Sequence, residues 1–378
     1  MFYLIHYSYE PGTAAMNRIL GYLKALSNEE IETTMVFIYP GTRRKVEEEE
    51  LPHIHYSYLY QEYFYSSYKF IGVFLRKIYP IKFSKGLKHG DIVYLYGCPQ
   101  FMHYLLKKKG IRIYYETTEH PEGVPQGNPF TRFPLRKHYE DVCKIDGFFG
   151  ISTCLRDFFI SKGVSPDKAH IINMTVDSSR FEGLTKTVKE RYIAYCGVIY
   201  NKKDGVDQLI KSFASTAKSH PDVKLYIIGP VLEKGDRNVN IQLIEYLGLK
   251  DRVVLTGKIS AKQMPQLLKN AEICALDRPD GLRAKAGFPT KLGEYLLSGN
   301  PVVITGVGDI PLFLQDGESA LIARPDDQSS FAEKLNWALD NPDKARDIGK
   351  KGAEIALKYF NSEIETKKII NVIFGKRK

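Results

Sequence analysis

Six short apolar runs, Tyr192–Val198, Val223–Ile228, Val253–Gly257, Glu272–Asp277, Pro301–Thr305 and Ala320–Ala323, are separated by stretches with helical periodicity. Runs this short and this uniformly apolar read as strands buried on both faces, since a half-solvated strand would alternate apolar and polar residues. In the intervening stretches apolar residues recur three and four apart. Val206, Leu209, Ile210 and Phe213 form one stripe, and Met264, Leu267, Leu268 and Ala271 form another. Successive buried strands joined through a helix pair in parallel, so the alternation predicts a doubly wound α/β sheet.

The first half repeats the pattern with more interruptions. Strands are expected at Phe2–Tyr9, Ile31–Tyr39, Asp91–Tyr96, Ile111–Glu116, Asp146–Ser152 and Ala169–Ile172, with helices at Ala14–Leu26 and the basic stretch Phe101–Lys109. A chain of 378 residues has room for two such sheets. We therefore expect a Rossmann-like domain over residues 1–175 and a second over 186–360, joined near 173–190. From about Asp327 the pattern is helical to the end, and residues 361–378 are expected to form a helix that crosses back to the N-terminal domain.

Several chemistries are absent from the sequence. No GxGxxG follows a strand and no GxxxxGK[ST] or GxSxG is present, which turns away dinucleotide, P-loop and α/β-hydrolase readings. There is no DxD, HExxH or CxxC, and no metal is expected. His53-x-His55 is the nearest approach to a ligand pair, without cysteines or carboxylates beside it in sequence. Asn173-Met174-Thr175 is a chance sequon, and the acidic run Glu47–Glu50 reads as a solvated loop or helix end. The five scattered cysteines read as reduced, and the first basic residue is Arg18, so the start lacks the basic region of a signal peptide. A cytoplasmic protein, at most peripheral to a membrane, is expected. The net charge of +10 points to anionic partners.

The segment Gly287-Phe288-Pro289-Thr290-Lys291 leads into a helix carrying Glu294, and Pro301-Val302-Val303 opens the next strand. Pro suits a first helical turn, and the free N–H groups of Thr290 and Lys291 would then face the loop as an anion site. One turn on, the Glu294 carboxylate could accept from two adjacent hydroxyls such as those of a ribose, or be a surface glutamate on a core helix.

This segment resembles the signature of retaining glycosyltransferase family 4, E-G-F-G-x-x-x-x-E-A-x-A-x-G-x-P-V-V. Gly287-Phe288 matches its G-F, Glu294 its second glutamate, and Gly299-x-Pro301-Val302-Val303 its close; the first glutamate falls on Ala286. The run Gly197 to Ile210, with Lys202, Lys203 and Gly205, resembles the family's G-R-L-x-x-x-K-G-x-x-x-L-I, with Val198 in place of the arginine. Asn173-x-x-x-Asp177-x-x-x-Phe181, Gly229-Pro230, Gly257-Lys258-Ile259 and Asp316-Gly317-x-x-Ala320 resemble further family segments in the same order, covering about residues 170–330.

The resemblance implies two Rossmann-like domains facing across a cleft and transfer of a hexose-type sugar from a UDP- or GDP-sugar to a hydroxyl of a glycan or lipid-linked glycan. A role in cell-surface polysaccharide synthesis is expected with it. It assigns donor contacts to Glu294, Lys202, Lys203, Thr290, Lys291, Gly287, Phe288, Pro289, Gly229, Lys258 and Ile259, and a weaker one to the turn at Pro11-Gly12-Thr13. Lys203 would stabilise the departing diphosphate without a metal or other cofactor. In the first domain it implies a sugar-facing role for His120, with Glu119 as the alternative; a loop histidine is the plainer reading. A sugar-nucleotide epimerase of the same fold and a two-domain binding protein are the alternatives.

Residues 56–90 carry Tyr56, Tyr58, Tyr60, Tyr63, Tyr65 and Tyr68, then Lys69, Arg76, Lys77, Lys82, Lys85 and Lys88 with Phe70, Ile71, Phe74 and Ile78 interleaved. Such a stretch suits a membrane surface or a lipid diphosphate, or else core plus solvated face. No nucleic-acid motif accompanies it, and no nucleic-acid partner is expected.

Overall fold

The computed structural model describes residues 1–10, 12–39, 50–59, 69–123, 133–230 and 234–375. The chain divides into two units, Met1–Asn173 with Ser362–Lys378, and Met174–Asn361. Pro11, the run Glu47–Glu49, and Tyr60, Tyr63, Tyr65 and Tyr68 lie outside the described residues.

Among the described residues the first unit has strands β1 (Phe2–Ser8), β2 (Thr33–Tyr39), β3 (Ile54–Tyr58), β4 (Ile92–Tyr96), β5 (Arg112–Thr117), β6 (Gly147–Gly150) and β7 (Ala169–Ile171). Their order is β3-β2-β1-β4-β5-β6-β7, and every pair is parallel. Leu4 of β1 stands between Met35 of β2 and Tyr94 of β4. The helix Ala14–Asn28 is capped by the Thr13 hydroxyl, which accepts from the Met16 N–H at 3.3 Å. Its buried stripe of Met16, Ile19, Tyr22, Leu23 and Leu26 joins Leu4, Met35 and Phe37 in one core with Ile369, Ile370 and Ile373 of the last helix, Ser362–Phe374.

The expected strands of this half are present, most of them shorter by a residue or two at an end, while Ile111–Glu116 is displaced by one residue to Arg112–Thr117. The strand β3 is an addition. Its sequence IHYSY is polar at every other position and half solvated, so it has no apolar run to read. The helix Lys69–Gly86 is another addition and carries Pro80 inside it. Within it Phe83 packs edge-on against Tyr3 and Phe101, with centroids 5.4 and 5.7 Å apart, so part of the basic aromatic stretch is core. Ile78, Ile81, Lys82 and Lys85 are exposed on one face of the same helix. Among the described residues no helix is long and apolar enough to cross a membrane.

The second unit follows the expected alternation closely. Among the described residues its strands are β8 (Tyr192–Cys196), β9 (Lys224–Ile228), β10 (Val253–Gly257), β11 (Ile273–Leu276), β12 (Val302–Thr305) and β13 (Leu321–Ala323). They are all parallel, in the order β10-β9-β8-β11-β12-β13. Chain progression reverses between β8 and β11, which is where an open α/β sheet splays its connecting loops and leaves a crevice beyond the carboxyl ends of the strands. The last three helices run Gln328–Asp340, Pro342–Tyr359 and Ser362–Phe374.

Candidate functional site

At the reversal point of the second sheet, the loops after β8 and β9 approach each other through glycines. Gly229 has φ +141°, and a Cβ there would lie 2.0 Å from the Gly197 carbonyl oxygen. Gly197 has φ +146°, and a Cβ there would meet Lys291 Nζ at 2.5 Å. Both positions therefore need glycine, for conformation and for space. Gly229 is also bridged to Gly257, which brings Lys258 and Ile259 to the neighbouring strand end. Lys258 is exposed there and Ile259 half-buried.

Lys291 comes from the far side of the reversal, at the start of the helix Lys291–Leu297. Its ammonium lies 2.6 Å from Asp204 Oδ2 and donates to the Tyr195 hydroxyl at 3.0 Å. That hydroxyl is 3.0 Å from both Asp204 Oδ2 and the Val198 carbonyl. Arg278, fully buried after β11, has its Nε 4.0 Å from Asp204 Oδ1. Burial alone would raise the Asp204 carboxyl, but Lys291 and Arg278 outweigh it and hold it below the usual carboxylate range. Burial also draws the Lys291 ammonium below its ordinary value, against the pull of Asp204. The neighbouring Asp277 is pushed up to about 7, chiefly by burial, with only the Ser212 hydroxyl at 3.4 Å opposing.

The same helix is pinned to the end of β8. The Tyr295 hydroxyl accepts from the Cys196 N–H at 2.5 Å and donates to the Cys196 carbonyl at 3.1 Å. Glu294, one residue earlier, is half-buried and ion-paired with Arg180 Nη1, while Arg180 Nη2 donates to the Ala261 carbonyl at 2.9 Å. Gly287 and Pro289 are buried, Thr290 is half-buried, and Ala286 is fully buried. The Phe288 ring packs between Phe313 and Phe360 at 5.7 and 5.3 Å, so it anchors the loop in the core. Lys202 is exposed and Lys203 half-buried on the short turn Asn201–Asp204.

Sequence reasoning placed Lys202, Lys203, Lys291, Gly229 and Glu294 near one another, and the fold brings their loops to the same end of the sheet. It assigned nothing to Tyr195, Asp204, Arg278 or Arg180. Arg180 sits directly before Phe181 in a segment already singled out, and its charge was the signal available.

In the first unit His120 follows β5. Its ring is buried 4.1 Å from that of Phe158, and its Nδ1 accepts from the Glu122 N–H at 3.2 Å. Burial holds the imidazole below its ordinary range, opposed by Glu122 and reinforced by Lys162, so the ring is neutral at pH 7. Glu119 is half-buried beside it, and Gly12 is exposed ahead of the first helix with φ +82°. His53 and His55 both engage the exposed Glu32 carboxylate, at 2.7 and 3.3 Å. Among the described residues no group of three or more His, Cys, Asp or Glu side chains is placed to hold a metal ion.

A family model described as "Glycosyl transferases group 1" matches residues 178–355, nearly the whole second unit. MMP alpha-(1->4)-mannosyltransferase of Mycolicibacterium hassiacum is 27% identical over 211 residues, 56% of this chain and 49% of that protein. N-acetyl-alpha-D-glucosaminyl L-malate synthase of Bacillus anthracis is 26% identical over 164 residues, 43% of this chain and 40% of that protein. These matches thus span about half the length of the relatives or less. The crystal structure of Anabaena HepE in complex with UDP is 17% identical with a TM-score of 0.76, covering 99% of this chain and 100% of that one, a likeness of fold. The second unit thus carries a region that matches the glycosyl transferases group 1, and its curated relatives include glycosyltransferases.

Proposed function

We propose that this chain is a retaining glycosyltransferase whose second unit binds a nucleotide-sugar donor. One observation carries the reading. Beyond the carboxyl ends of β8 and β9, glycine turns lie beside Lys291, with Lys202 and Lys203 on the turn that follows β8 and the Glu294 carboxylate on the helix that Lys291 begins. Bare backbone lets a diphosphate approach closely, and ammonium groups offset its charge. A ribose suits the carboxylate, since two neighbouring hydroxyls can donate to it. Anabaena HepE, which shares the fold, binds UDP in its crystals, in keeping with a UDP- or GDP-sugar here.

In the reaction the bond from the anomeric carbon to the diphosphate oxygen breaks, and its electron pair leaves with the nucleotide. The acceptor hydroxyl forms the new bond on the same face and gives its proton to the departing phosphate oxygen. The lysines stand where negative charge develops on the departing diphosphate and offset it without a metal. The acceptor role of the first unit, and the sugar-facing role of His120 or Glu119, follow from the family resemblance. We propose a glycan or lipid-linked glycan as acceptor, in polysaccharide synthesis. The exposed face of Ile78, Ile81, Lys82 and Lys85 suits the surface of an anionic membrane, which co-sedimentation with anionic vesicles would detect and neutral vesicles would not.

A thermal-shift screen with UDP-, GDP-, ADP- and CMP-sugars in EDTA tests the donor reading. One nucleotide is expected to raise the melting temperature, and Glu294→Ala to abolish the rise. No rise with any of them on folded protein would overturn it. Release of an altered nucleotide sugar without acceptor would turn the reading to an epimerase. With acceptor present, the anomeric coupling constant of the product by NMR should match that of the donor.

A further inference from the structure

We infer that the ammonium of Lys291, fixed in place by Asp204, is the cation that meets the donor diphosphate, and that Asp204 is its positioning residue. The inference rests on the second unit being the donor site. It assigns the task to a side chain from the far side of the sheet reversal, in preference to the lysines of the turn after β8.

Three observations support it. The first is place. Lys291 Nζ lies against the Cα of Gly197 at the carboxyl end of β8, in space that any side chain at Gly197 would fill. The Lys291 side chain keeps 14% exposure, in contrast to the closed pair of Arg18 and Glu116. The second is rigidity. A free lysine loses much of its rotamer freedom when it grips a ligand. Lys291 is already held, at 2.6 Å from Asp204 and 3.0 Å from Tyr195, and Asp204 is itself buried. Its ordering cost is met on folding, which favours binding and catalysis alike. Lys202 is exposed and Lys203 half-buried, so solvent screens what they contribute.

The third is charge. Lys291 and Arg278 converge on the single carboxylate of Asp204. An arriving phosphate can therefore take one cation without leaving the carboxylate unpaired in the interior. The helix Lys291–Leu297 has seven residues, so its dipole is short and the ammonium is the stronger field at this spot.

Calorimetric titration with UDP and GDP, and separately with uridine and guanosine, tests this. For the diphosphate that binds, Lys291→Met is expected to weaken affinity about 10- to 100-fold, the size of a lost charged hydrogen bond, while the nucleoside binds as before. Lys202→Ala/Lys203→Ala is expected to cost less, about threefold, as exposed charges do. Asp204→Asn should lower kcat about tenfold with a smaller change in donor KM, and Asp204→Glu should restore part of it. Circular dichroism melts check that each variant folds. If Lys291→Met does not fold, Lys291→Gln takes its place and Asp204→Asn carries the kinetic arm.

Unchanged diphosphate affinity in Lys291→Met overturns the inference, as does an equal loss for nucleoside and diphosphate. So does Asp204→Asn with wild-type kcat. Failure of the wild type to bind any nucleotide or nucleotide sugar is a different result, and overturns the donor reading itself.

Discussion

Each unit has a buried ion pair beside the carboxyl end of a strand, and the two pairs differ in what is left over. In the first unit Glu116, at the end of β5, accepts from Arg18 Nε at 2.7 Å, the Tyr22 hydroxyl at 3.1 Å and the Tyr94 hydroxyl at 2.5 Å. Arg18 donates its remaining nitrogens to the carbonyls of Asn173 and Ile172, at 2.6 and 3.0 Å. The two side chains are 0% and 1% exposed. Each of these groups has its partner inside the fold. In the second unit Lys291 is partly open, and it shares its carboxylate with Arg278. A closed network fixes a fold, whereas an open one with a cation facing the strand ends has capacity for a ligand.

The sharpest way to break this comparison is to open the closed pair. Glu116→Ala leaves Arg18 charged and buried and takes an acceptor from two tyrosines. It is expected to cost roughly 5 kcal/mol of stability, the upper range for breaking a buried pair. Urea unfolding of the whole chain reads this, and a loss below about 1 kcal/mol would mean that the pair does not hold the unit.

A second test uses pH on the open side. Burial pushes the Asp277 carboxyl up to about 7 in the fold, against 3.8 for an unperturbed carboxyl. Its folded form holds the proton more tightly than the unfolded form. The stability this gives is complete below pH 4 and fades as pH rises through 7. The expected loss between pH 4 and 8 is up to about 4 kcal/mol. Asp277→Asn should flatten that part of the profile, and a profile unchanged by the substitution would remove Asp277 as its cause.

The second unit was far more legible in the sequence than its chemistry. Its strands are mostly apolar, so the expected bounds agree to the residue at Val253–Gly257 and within two positions at the others. The first unit resisted at β3, where every other residue is polar, and at Lys69–Gly86, where Pro80 interrupts the helical signal. The resemblance pointed to loops, and the fold joined them. The pairing of Lys291 with Asp204 spans 87 positions, and that of Arg18 with Glu116 spans 98. Neither follows from periodicity, since both are consequences of which strands lie side by side. The sequence pattern points to the backbone N–H of Lys291, while its side chain reaches Asp204 on the turn after β8.

The smallest effect is expected at the most exposed of these three pairs. Arg180 and Glu294 are 25% and 16% exposed, partly open to solvent. A pair of that kind adds at most about 1 kcal/mol to stability, so Arg180→Ala should hardly move the unfolding midpoint. Its influence on ligand should be larger in proportion. Arg180 is held in turn by the Ala261 carbonyl, and so it fixes one oxygen of Glu294 and leaves the other to accept. Without it Glu294 regains rotamer freedom that a ribose would have to remove, on the order of 1 kcal/mol or about fivefold in donor affinity. Titration of Arg180→Ala with the nucleoside should show that loss undiminished, because the effect belongs to the sugar of the nucleoside and not to its phosphates. If the nucleoside binds Arg180→Ala as tightly as wild type while the diphosphate weakens, then Arg180 belongs with Lys291 among the phosphate cations, and the open network is wider than the Asp204 cluster.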